Sequence, residues 1–259
     1  MNLAEVLLLL AAGLTAGTVN AIAGGGSLIT FPALIATGLP PVAANVTNSV
    51  SVFPGYAASV FGSRTDLRDA ADGEGRGRLL ALVPTAVVGS VLGCVLLLAT
   101  PSRAFELVVP FLVLAAGVVL GFGERLRRLV GHPAGLSPRR RAVTTHLIVG
   151  LGTVYGGYFG AALGVILVAA FALVFEQTLA RISAMKNAVA AIEGLVTVFV
   201  FTAFGPVAWS EVLVLIPATM TGGYLGARLA RRLPARLLRA VIVSFATVVG
   251  LVLLYRALT

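Results

Sequence analysis

Hydrophobic residues in this chain fall into long runs rather than alternating with polar ones. Apolar runs of helical length occupy about 3 to 22, 41 to 62, 79 to 99, 103 to 122, 143 to 160, 178 to 203, 212 to 230 and 238 to 257. At 1.5 Å of rise per residue, such runs match a hydrocarbon core about 30 Å thick. Two shorter runs, 27 to 37 and 164 to 175, do not, and read as half-helices or the return arms of re-entrant hairpins. The pattern predicts an all-α polytopic membrane protein. Composition agrees, with 58% hydrophobic and 11% charged residues, where a soluble domain carries about 25% charged. Residues 1 to 21 have no basic front and are followed by more apolar segments, so they read as the first membrane segment rather than a cleaved leader.

The two halves align with each other. At a constant offset of 133, Pro84 pairs with Pro217, Gly89 with Gly222, Gly93 with Gly226, Pro101 with Pro234, Arg103 with Arg236 and Gly117 with Gly250. Upstream, Asn48 pairs with Asn187 and Gly55 with Gly194 at offset 139, and Gly17 and Gly24 pair with Gly157 and Gly164 at offset 140. The chain therefore reads as a duplicated five-segment unit: a first repeat, 1–122, a basic linker, 123–142, and a second repeat, 143–259.

Charge orients these units. The linker carries Arg125, Arg127, Arg128, Arg139, Arg140 and Arg141, which places it in the cytoplasm by the positive-inside rule. Working outward from it, 17 of the 19 Lys and Arg residues fall on that side, leaving only Arg103 and Arg256 outside. Loop 99–103 is nearly uncharged while its repeat partner, 230–236, is basic. An odd number of segments per unit gives the same answer, inverted-topology repeats with both termini periplasmic. The net charge of +9 is thereby accounted for by membrane orientation, and no nucleic-acid partner is expected. Cys94 is the single cysteine and has no ligand-like neighbours, so it reads as packing, with no metal or other cofactor implied. His132 in the linker and His146 near a helix end read as solvated.

Candidate chemistry lies where the apolar runs break. Inverted repeats with discontinuous helices point to a secondary transporter with its site near the midplane. Gly24, Gly25 and Gly26 let the backbone leave helical geometry after Asn20, and Ser27 is placed to cap a new half-helix whose first amides favour an anion. Glycines at Gly89-x3-Gly93 and Gly222-x3-Gly226 read instead as close helix packing. On the next segment, Asn45, Asn48 and Ser49 share one face, with Thr47 and Ser51 beside them. In the second unit Lys186 and Glu193 are seven residues apart, on one face and about 10 Å along the axis. Ionisable groups at membrane depth are functional candidates. Lys186 and Asn187 are read as substrate-binding and Glu193 as the proton-coupling group. Tyr155 and Tyr158 add hydroxyls at the second break.

The stretch "GTVNAIAGGGSLITFPALIATGLPPVAANVTNSVSVFPG", the basic linker, and "YGGYFGAALGVIL" with "ISAMKNAVAAIEGLV" resemble the TauE/SafE family of sulfite and organosulfonate exporters, also called the toluene sulfonate uptake permease family. The resemblance covers essentially the whole chain. It implies a bacterial inner-membrane transporter of small sulfur oxyanions or related organic anions. Many relatives repeat three glycines in the second half, where this chain has "AALGVIL", so an asymmetric site is expected. An anion channel is the alternative, with polar stripes lining a pore. A membrane-embedded enzyme is a weaker one, since neither H-E-x-x-H nor G-x-S-x-G occurs.

Overall fold

A computed structural model describes residues 1–22, 25–62, 64, 67–68, 75–129, 137–172, 174–175, 177–229 and 235–258. Gly24, His132, Thr259 and most of the loop and linker charges counted above lie outside the described residues or carry undescribed side chains. The described residues form ten helices and no strand: α1 (Leu3–Ile22), α2 (Ser27–Ala36), α3 (Pro41–Gly62), α4 (Gly75–Ala99), α5 (Ser102–Leu129), α6 (Pro138–Tyr158), α7 (Leu163–Ala172), α8 (Leu179–Phe204), α9 (Trp209–Leu229) and α10 (Ala235–Leu258). Four of them contain spans long and apolar enough to cross a membrane, at Leu3–Asn20, Leu79–Ala99, Ser102–Phe122 and Arg181–Phe204. Leu151, Phe199, Leu213 and Tyr255 are exposed on the outer faces. Such a surface suits lipid and not water.

α5 runs on to Leu129 and α6 starts at Pro138, so both extend into the basic linker. Loss of hydrophobicity ends a membrane segment but not a helix, because arginine is a good helix former. At the start of α6 the Ser137 hydroxyl accepts from the Arg140 N–H at 3.4 Å, and Pro138 occupies the first turn, where its missing N–H costs nothing.

Two helix pairs form the frame, α1 against α9 and α4 against α6. Both rest on glycine. A Cβ at Gly17 would lie 2.7 Å from the Gly223 nitrogen, and one at Gly222 would lie 2.8 Å from the Leu14 backbone. Across α4 and α6, a Cβ at Gly93 would lie 2.9 Å from the Tyr158 nitrogen, and one at Gly157 2.9 Å from the Cys94 nitrogen. The backbones thus touch, as small residues permit between membrane helices. Thr18 closes one seam by donating its hydroxyl to the Gly222 carbonyl at 3.0 Å.

Exchanging α1–α5 with α6–α10 maps most packed pairs onto packed pairs, the contacts of α5 with α2 and α3 being exceptions among the described residues. The α1–α9 contact becomes α6–α4, α3–α9 becomes α8–α4, α1–α2 becomes α6–α7, α2–α3 becomes α7–α8 and α2–α10 becomes α7–α5, while α3–α8 and α5–α10 map onto themselves. The two short helices fold back on their predecessors. Gly26 of the first break lies against Ala16 and Asn20 of α1, and α7 runs antiparallel to α6, with Leu163 over Gly156 and Leu167 over Gly152.

Candidate functional site

The first break is held by its own polar group. Gly25 has φ +93°, a conformation glycine adopts freely, and the Gly26 N–H donates to Asn20 Oδ1 at 2.7 Å. In the first turn of α2, the Leu28 N–H donates to the Gly25 carbonyl at 3.0 Å and the Ile29 N–H to Gly26 at 2.9 Å. Ser27 is not the cap expected from sequence. The cap position is Gly26, whose conformation is already helical, and no side chain caps the turn. The Ile29 and Thr30 N–H groups, which a Ser27 cap would have served, both donate to the Gly26 carbonyl, at 2.9 and 3.2 Å. Asn20, holding the Gly26 N–H, serves the break itself.

The second break is made without a glycine triplet. Gly160 has φ +71° and Ala162 φ +59°, a left-handed conformation that costs a non-glycine residue about 1–2 kcal/mol. The Phe159 and Gly160 N–H groups both donate to the Tyr155 carbonyl, at 2.8 and 3.0 Å, and the Tyr155 hydroxyl donates to Ala161 O at 2.6 Å. Tyr155 is thus an internal strut of the break. The N–H groups of Ala161, Ala162 and Gly164 find no acceptor among the described residues. Three amides at the head of α7 remain available, and at the first break the N–H groups of Gly25 and Ser27 likewise find no acceptor among the described residues.

Polar side chains of α3 and α8 converge on these breaks. Asn45 is 1% exposed and donates through Nδ2 to the carbonyl of Tyr158, the last residue of α6, at 2.9 Å, while its buried Oδ1 has no partner among the described residues. Asn48 accepts a short hydrogen bond from Thr30 of α2. Ser49 and Ser51 bond back to the carbonyls of Asn45 and Thr47, at 3.0 and 2.7 Å, and Thr47 accepts from the Ala208 N–H at 3.0 Å. Those three hydroxyls are engaged in structure. Asn187 is buried on α8. Aromatic rings seal the junction, with Phe159 edge-on to Phe31 of α2 at 5.4 Å and Phe105 of α5 edge-on to Tyr158 at 5.7 Å.

Lys186 and Glu193 face the second hairpin. The Lys186 side chain lies over Gly164, with Nζ 3.6 Å from where a Cβ would stand. The Glu193 carboxyl carbon lies 3.1 Å from the corresponding point at Gly156, and the residue is 6% exposed. Gly156 itself packs on Leu163, so a cation and a carboxyl flank the head of α7. Neither side chain has a hydrogen bond or ion pair among the described residues. Sequence reading missed Thr30, Gly156 and Gly164, whose spacing to their partners is long and set by the fold. No cluster of His, Cys, Asp or Glu suited to a metal occurs among the described residues.

A polytopic helical bundle with two broken hairpins and buried polar groups at their meeting point has the construction of a membrane transporter. The chain belongs to the TauE/SafE sulfite exporter family, whose model matches residues 9–253. It is 29% identical over 247 residues to the probable membrane transporter protein YfcA of Escherichia coli K12, covering 93% of this chain and 86% of that one. It is 28% identical over 245 residues to a probable membrane transporter protein of Haemophilus influenzae, covering 91% and 89%. A probable membrane transporter protein, ORF9, of a Sinorhizobium species is 28% identical over 255 residues, covering 94% and 90%. No solved structure matches the chain.

Proposed function

We infer that this chain is a secondary transporter that carries small anions, sulfite, sulfonates or related organosulfur anions, across a bacterial inner membrane by alternating access coupled to protons. The observation that carries the reading is the second hairpin: unpaired amides at the head of α7 with the Lys186 side chain over Gly164. A helix N-terminus and an ammonium both attract an anion, and in a low-dielectric interior neither is left without one cheaply. Glu193, buried on the same face of α8, is the group that exchanges a proton. The family's printed description, sulfite exporter, supports the substrate class. The test is counterflow. Proteoliposomes preloaded with unlabelled sulfite or p-toluenesulfonate should transiently concentrate the labelled anion, as a carrier does. Flux that is only dissipative and does not saturate would indicate a channel.

Exchange of packed helix pairs between the halves supports an inverted-repeat arrangement, with five segments in each unit. Both termini then face the periplasm. A reporter active only in the cytoplasm, fused after Thr259, is expected to be silent, and the same reporter inserted in the 130–136 linker to be active. The reverse result would discard the orientation.

A further inference from the structure

We propose that the head of α7 is a single anion subsite for which substrate and ionised Glu193 compete, so that one anion and one proton bind together and cross in the same direction. The proposal rests on the carrier reading above and adds to it the order and sign of coupling. The Gly164 N–H and the Lys186 ammonium supply the positive side of the subsite, and Gly156, packed on Leu163, brings the Glu193 carboxyl to its other edge. Glu193 is buried and accepts no hydrogen bond among the described residues. An ionised carboxylate there faces the amide end of α7 across Gly156 and Leu163. That positive end is also what the substrate anion needs.

Other titratable groups do not replace it. Tyr56 on α3 and Cys94 on α4 are the other titratable groups that feel Glu193, but as a phenol and a thiol they already carry their protons near neutral pH and offer no place for an incoming one. Tyr155 on α6 is committed to Ala161 O, His146 on α6 pairs with Thr85 at 2.7 Å away from this edge, and α7 carries no ionisable residue. The binding step is balanced by one proton from water. The Glu193 carboxylate becomes a carboxyl, the substrate keeps its charge, and the subsite's net charge is unchanged. By linkage, an anion that binds only the protonated form draws protons onto the protein, and its affinity falls about tenfold per pH unit wherever Glu193 is otherwise ionised.

The experiment is calorimetric titration of the purified full-length protein between pH 5 and 10, in buffers of differing ionisation enthalpy. Methanesulfonate and p-toluenesulfonate serve as probes because they stay ionised throughout. The expected result is uptake of about one proton per anion at the alkaline end, affinity that declines with rising pH, and both effects absent in Glu193→Gln, which still binds. Anion binding without proton uptake in the wild type overturns the competition while leaving the anion reading intact. Uptake that persists in Glu193→Gln overturns the assignment to Glu193. Binding of 2-aminoethanesulfonate that strengthens as pH rises also overturns it, since Glu193 would then be the counter-charge for a substrate ammonium. Failure of every anion to bind at any pH defeats the anion site itself, and the proposal with it.

Discussion

Replacing Gly17 with leucine is expected to cost about 3 kcal/mol or more of stability, because the new side chain would have to enter the backbone of α9 rather than displace a side chain. Even the first carbon of that side chain would lie 2.7 Å from the Gly223 nitrogen and 2.9 Å from the Thr219 carbonyl carbon. The helices must separate to admit it, and the Thr18 hydrogen bond to Gly222 is then lost as well. Thermal unfolding in detergent, followed by intrinsic fluorescence or aggregation, measures the loss. Gly55 on α3 provides the contrast, since nothing stands within 4 Å of a Cβ there. Gly55→Ala should be neutral or stabilising by up to about 1 kcal/mol, the ordinary gain of alanine over glycine in a helix. Equal effects at the two positions would remove the close α1–α9 seam from the account of this fold.

Removing the Lys186 charge is expected to weaken anion binding by about 2 kcal/mol or more, some thirtyfold, as truncating one partner of a desolvated charge pair does. Lys186→Met should be as damaging as Lys186→Ala, since it keeps the aliphatic stem that packs over Gly164 and removes only the ammonium. Lys186→Arg keeps the charge on a wider, planar group and should fall between them and the wild type. Equilibrium binding of p-toluenesulfonate reads the effect without requiring transport. If Lys186→Met binds as the wild type does, the anion is held elsewhere, and the first break becomes the place to look.

The helices were legible because membrane hydrophobicity is a blunt signal. Both short runs became short helices, and the glycines before α2 marked a real interruption, with Gly25 in a conformation that favours glycine. Gly89 and Gly93 were readable as packing glycines and do pack, against α6. Partner choice was not legible. Nothing in the spacing of Gly17 announces that it meets α9, some two hundred residues later. The site was half legible, in that polar residues in lipid-length segments stood out individually and most are buried. Their uses were hidden by local competition. Ser49 and Ser51 turned back to their own helix, the Gly26 carbonyl took the amides that Ser27 had been expected to cap, and Tyr155 spent its hydroxyl within its own hairpin. The proposed repeat also slips where it matters. With Gly17 paired to Gly157, Ile22 falls opposite Ala162, yet α6 ends at Tyr158, one turn sooner than α1. A glycine triplet was the visible marker of a break, and the second break did without one by accepting Ala162 at positive φ.

Lys186 and Glu193 have Thr47 and Pro54 at the matching positions of α3 in the proposed repeat, so a scaffold most of whose helix contacts survive exchange of its halves carries charges that do not. Two conformations of a fully symmetric carrier, related by a two-fold axis in the membrane plane, would have equal energy. Under the alternating access proposed above, one conformation of this chain would expose the charged hairpin to one compartment, and the other would expose an uncharged one to the opposite side. Their solvation differs, and so must their populations when no substrate or gradient is present. A carrier of this kind rests with a preferred side open and shows unequal half-saturation from the two faces of the membrane, although detailed balance still forbids net movement at equilibrium. On that proposal vectorial behaviour requires no separate gate, because two ionisable residues in one copy of the proposed repeat would be enough to give the cycle a resting position.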